Sequence, residues 1–223
     1  MRKLKIESKP VEITLGELKL EGDLAVSEGA EGIVLFAHGS GSGRFSPRNR
    51  YVAGVLQKAG LATLLMDLLT EEEEAEDART AQLRFDIEML SERLIGATEW
   101  LKEQAEARDL AVGYFGASTG AGAALIAAAE RPDDIQAVVS RGGRPDLALR
   151  YLPKVKAPTL LIVGGYDEAV IEMNLEAMQY LHATKKFEIV QGASHLYEEP
   201  GTLEEAAKLA TAWFTHYLQR KKK

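Results

Sequence analysis

Three side chains able to act together on a carbonyl occur in one order along the chain: Ser118 in GASTG, Asp167 in IVGGYDEAV and His195 in VQGASHLYEE. A serine hydroxyl is a weak nucleophile until a base reaches it, a third group orients that base and amide donors face the oxyanion. Gly116 and Gly120 stand two residues before and after Ser118, the spacing that leaves room for a sharp, strained strand-to-helix turn. The amide of Thr119, opening the next helix, would then point at the developing charge. Of the four histidines, His182 and His216 fall in or near helices and His38 belongs to another motif. His195 follows the last strand, where a base of this kind sits. Asp167 ends an intervening strand; Glu168 is its competitor, and Asp167 is also placed to cap a helix. A second oxyanion donor is expected after an early strand, where LFAHGSGSGRFSP lets backbone amides approach a substrate oxygen. Ser40 N–H is the first choice and Gly41 the next. The same segment fits neither GxxxxGK[ST] nor GxGxxG, which removes the phosphate-loop reading.

Such side chains must stand at strand ends, and the pattern supplies strands. VEITLGELKLEGDLAV alternates in patches around Gly16 and Gly22, predicting an antiparallel hairpin at a sheet edge. GIVLFAH, LATLLMD, LAVGYFG, IQAVVSR and APTLLIVGG are short apolar runs, the mark of strands buried on both faces; KKFEIVQG is a last strand. Between them lie a helix after Ser46–Pro47 that stops at Gly60, a long amphipathic helix from about Arg79 to Ala107, and helices over 118–130, 170–182 and 203–218. TEEEEAEDA reads as a solvated loop and acidic helix start. This alternation predicts a mostly parallel, doubly wound sheet in a single domain spanning residues 1–223.

Composition narrows the function classes. The 223 residues carry a net charge of −7, which argues against nucleic acid or an acidic membrane surface as the main partner. The basic end from Arg220 to Lys223 reads as a solvated tail. There are no cysteines, so disulfides and thiolate metal sites are excluded. MRKLKIESKPVEI lacks a continuous apolar core, and the expectation is a soluble, cytoplasmic protein.

FAHGSGSGRFSPRNR, GYFGASTGAGAALIAAAERP, VVSRGGRPDLA, APTLLIVGGYD and GASHLYEEPG together resemble the α/β-hydrolase superfamily and, within it, the dienelactone hydrolase family, over nearly the whole chain. The resemblance implies an α/β-hydrolase fold with no large cap domain, Ser118 as nucleophile, His195 as base and Asp167 as its orienting acid. Enzymes that hydrolyse dienelactone itself carry cysteine at the elbow, so the serine makes this chain more like a carboxylesterase. The expected activity is hydrolysis of a small carboxylic ester or lactone through an acyl-enzyme, with neither metal nor organic cofactor. Arg44, Arg48, Arg141 and Arg144 crowd the same face; they are either surface ion pairs or helix caps or, for Arg44 or Arg141, a grip on a substrate carboxylate or phosphate. The rival reading is a non-catalytic or engineered binding module on the same fold; a lyase or perhydrolase would reuse the same three residues.

Overall fold

The computed structural model describes residues 8–219, so the expectations for the extreme N-terminus and the basic tail lie outside the described residues. Eight strands form one sheet in the order β1-β2-β4-β3-β5-β6-β7-β8. They are β1 Ser8–Leu15, β2 Leu18–Ala25, β3 Gly32–Ala37, β4 Ala62–Met66, β5 Ala111–Ala117, β6 Ile135–Arg141, β7 Thr159–Gly164 and β8 Lys185–Val190. β1 and β2 are the antiparallel edge hairpin that the patchy alternation predicts, and β2 joins β4 antiparallel. From β4 to β8 all pairings are parallel. This is the mostly parallel sheet of an α/β-hydrolase.

The apolar runs are continuous because both faces of the sheet are covered. Along β3, Ile33, Leu35 and Ala37 enter one core while Val34 and Phe36 enter the other. The first core is closed by α3 (Ile87–Glu103), α4 (Thr119–Glu130) and α5 (Glu168–Met178); the second by α1 (Pro47–Lys58) and α6 (Thr202–Tyr217). α4 is buried along nearly its whole length, so its alanines reflect close packing against the sheet rather than mere helix preference.

One helix expectation needs correction. The helix foreseen from about Arg79 to Ala107 is two, α2 (Glu71–Thr80) and α3, separated by a turn at Leu83–Phe85. Ala81 adopts a left-handed conformation with φ 54°, and Asp77 turns its carboxylate onto the Leu83 and Arg84 amides, ending α2. Asp86 then accepts from Met89 N and starts α3. The acidic run is helical from its first glutamate, because Thr70 and Glu73 form a reciprocal capping box. Between β6 and β7 there are only two short 3₁₀ turns, Pro145–Ala148 and Leu152–Lys154, so no large cap covers the sheet there.

The chain order reverses direction across the sheet between β3 and β5, and the crevice outside such a switch point is where ligands settle in open α/β sheets. The loop after β3 carries the glycine-rich segment, and Ser118 follows β5.

Candidate active site

Ser118 sits at φ 51°, ψ −123°, a strained conformation for a residue with a side chain. It persists because the surrounding backbone leaves no alternative. A Cβ on Gly116 would lie 2.4 Å from Ala121 Cα, and one on Gly120 would lie 2.2 Å from the Ala37 carbonyl oxygen. The two glycines thus let α4 leave β5 abruptly, in contact with the end of β3. Ser118 N donates to Arg141 O at 3.3 Å, tying the turn to β6.

Asp167 and His195 come together from 28 residues apart: Asp167 Oδ2 and His195 Nδ1 are 2.6 Å from one another. Asp167 occupies the N-cap position of α5, but its side chain makes no capping bond and goes to the imidazole instead. Glu168, the competitor, is exposed at the first turn of α5. His195 packs over Gly142, where an added Cβ would lie 3.6 Å from ring atoms Cε1 and Nδ1. Ser118 and His195 line one cavity of about 250 Å³. No hydrogen bond joins them here; such contacts are often long in unliganded sites.

Thr119 is the first residue of α4, so its N–H has no intrahelical acceptor. Ser40 N lies close to it and donates to Thr119 Oγ1 at 2.9 Å, so the two expected oxyanion donors belong to neighbouring residues across the β3–β5 crevice. Sequence reasoning missed what holds this loop. His38 is buried, its Nδ1 is 2.9 Å from Gly39 O, and its Nε2 is 3.0 Å from Leu68 N. An amide can only donate, so Nε2 accepts and Nδ1 carries the proton: the ring is a neutral strut between the glycine loop and the end of β4. Burial lowers the His38 pKa, with the Gly39 carbonyl and Asp67 opposing it in part.

Protonation would set two N–H donors, His38 and Leu68, against each other. The unfolded chain takes up this proton near the ordinary value of 6.5 and the folded protein does so only at lower pH. Stability carried by neutral His38 is therefore complete above about pH 6.5 and lost on acidification, by up to ~1.4 kcal/mol per pH unit. Urea unfolding at several pH values should show this slope weakened in His38→Gln; an unchanged slope would contradict the strut.

The arginines separate. Arg44 pairs with Asp67 and Glu21, and its backbone N donates to Asp67 Oδ1 at 2.6 Å. Partial burial works against its charge, but the two carboxylates prevail and raise its pKa. It lines a larger cleft of about 670 Å³ on the other side of the glycine loop, and that cleft contains none of Ser118, Asp167 and His195. Arg44 is thus taken up by two carboxylates and lines a different cavity from Ser118. Arg144 is likewise held by Asp146 at 2.7 Å. Arg141 is different: it is 6 % exposed, lines the cavity with Ser118, and its guanidinium lies 5.3 Å from the ring centre of Tyr197. Burial brings its pKa down to about 10, with Tyr197 opposing and Arg48 adding to the effect, so it is charged at neutral pH. Tyr197 carried no signal in the sequence.

Among the described residues no cluster of His, Asp and Glu could hold a metal, and no helix is long and apolar enough to cross a membrane.

Residues 20–221 match the model of the dienelactone hydrolase family. A dienelactone hydrolase crystal structure from Anabaena variabilis superposes with a TM-score of 0.95 at 63% identity, covering 96% of this chain and 100% of that one. Est1E from Butyrivibrio proteoclasticus has the same fold, with a TM-score of 0.78 at 16% identity over 93% of this chain and 98% of its own. A Mycobacterium tuberculosis protein named as a phosphoribosyl transferase is 55% identical over 213 residues, 96% of this chain. The chain spans only 47% of that relative's length.

Proposed function

We propose, from the premise that this chain belongs to the dienelactone hydrolase family and is a hydrolase, that it cleaves a small carboxylic ester or lactone through an acyl-enzyme on Ser118. The observation that carries this reading is the 2.6 Å contact between Asp167 and His195 beside a serine held in a strained elbow. In this reading Asp167 fixes the tautomer with the proton on Nδ1, leaving Nε2 free to take the Ser118 proton as Oγ attacks the carbonyl carbon. The tetrahedral oxyanion accepts from Thr119 N–H and draws Ser40 N–H away from the Thr119 hydroxyl. His195 returns the proton to the leaving alcohol. Water, deprotonated by the same imidazole, then releases the acid and regenerates Ser118.

The transferase named for the mycobacterial relative is not carried over, because more than half of that protein has no counterpart in this chain. A binding module on this fold would need neither the strained serine nor an acid spent on orienting a histidine.

A fluorophosphonate probe tests the reading directly. Mass mapping should place one adduct on Ser118, and His195→Ala should lose labelling while remaining folded. A folded wild-type protein that takes no label would remove the acyl-enzyme and leave the binding module.

A further inference from the structure

Arg141 is a buried guanidinium that makes no hydrogen bond or ion pair with any described residue, and its Nε is buried without a partner. A charge taken out of water in this way is costly unless a counter-ion arrives. Its neighbour Arg48 faces the same 250 Å³ cavity, and among the described residues its ion-pair partner is Glu198, 3.9 Å away and largely exposed. Two guanidiniums therefore share one small space, and Arg48 makes the Arg141 charge harder to keep. The cavity lining contains no aspartate or glutamate, but it does contain Ser40, Ser42 and Ser46. Ser46 caps α1, so the positive end of that helix also opens here.

We infer that this cavity is a phosphate subsite, with Arg141 and Arg48 as its cationic grips, and that the ester or lactone hydrolysed at Ser118 carries a phosphate monoester close to its scissile carbonyl. The second half of this statement rests on the hydrolase reading above; the subsite itself does not. A carboxylate brings one charge and would leave one of the two guanidiniums uncompensated. A phosphate monoester brings close to two charges and three acceptor oxygens, matching two guanidiniums and the neighbouring hydroxyl and amide donors. Its seat in the cavity of Ser118 and His195 limits the distance between phosphate and carbonyl to a few bonds. The rest of the substrate has room across the glycine loop, in the larger cleft that shares Ser40, Ser42, Ser46 and Arg48 with the subsite.

The test is calorimetric titration of the full chain with phenyl phosphate and, as the matched carboxylate, benzoate. Wild type and Ser118→Ala should bind phenyl phosphate alike, at one site per chain, and benzoate at least tenfold more weakly. Arg141→Met should weaken phenyl phosphate at least tenfold and Arg48→Gln severalfold, with circular dichroism confirming the fold. Should Arg141→Met not fold, Arg141→Lys keeps the charge but loses the planar fork and should still weaken binding severalfold. Absence of phenyl phosphate binding to folded wild type overturns the subsite, as does unchanged affinity in the folded Arg141 variants or benzoate binding as tightly. Binding that survives in a protein Ser118 of which takes no fluorophosphonate would refute the hydrolase reading and leave the subsite standing; labelling without phosphate binding would do the reverse.

Discussion

Asp167→Asn is expected to lower kcat on a simple ester by about 10⁴-fold with little change in KM, the scale found where this acid is replaced in other serine hydrolases. The physical reason lies in a single proton. Asp167 Oδ2 accepts from His195 Nδ1 at 2.6 Å, and that bond dictates which ring nitrogen is bare toward Ser118. An asparagine amide can donate to Nδ1 instead, which puts the proton on Nε2, where a base is needed. The charge itself matters less than the tautomer, because the His195 side chain is 39 % exposed and water screens the pair. Glu168→Gln, one residue along on the exposed start of α5, should leave kcat unchanged within twofold. Steady-state kinetics on both variants decides; a loss below tenfold in Asp167→Asn, or an equal loss in Glu168→Gln, would show that another acid orients the imidazole.

Gly120→Ala should cost about 3 kcal/mol of stability and remove the hydrolysis proposed for Ser118, a large effect for one methyl group. The added carbon would lie 2.2 Å from the Ala37 carbonyl oxygen and 2.4 Å from that of His38. Both are backbone atoms at the end of β3, so no side-chain rotation relieves the clash. α4 would have to move away from the sheet, taking Thr119 N–H from its place beside Ser40. Gly54→Ala is the matched control, in the interior of α1 with nothing within 4 Å of the added carbon. There the change should raise stability by about 0.5–1 kcal/mol through helix propensity. Denaturant unfolding of the pair should therefore give opposite signs; a Gly120→Ala protein as stable and active as wild type would contradict the elbow.

The legible parts of the molecule were those fixed within a few residues. Gly116 and Gly120 mark the elbow because the steric demand of a strand-to-helix turn is local, and Ser46–Pro47 mark a helix start for the same reason. The parallel strands are readable because burial on both faces demands uninterrupted apolar runs. The break between α2 and α3 escaped detection because Leu83 and Ile87 continue the helical spacing straight across it. What stops α2 is Asp77 turning its carboxylate onto amides six and seven residues away, a choice that apolar periodicity does not encode.

The residue types proposed for the site and their order along the chain are read from the sequence alone, as is the resemblance to the dienelactone hydrolase family. Tertiary structure decided which charges are free. Arg44 and Arg141 are equivalent as letters, yet Arg44 finds Asp67 and Glu21, each 23 residues away, while Arg141 is buried at the end of β6 facing the cavity of Ser118. The difference is physical: backbone conformation is governed by near neighbours, whereas ion pairing and desolvation depend on whatever the fold brings within a few ångströms. For that reason the elbow at Ser118 is legible in five letters, whereas a buried cation in the same cavity, without a hydrogen bond or ion pair among the described residues, is visible only in the folded chain.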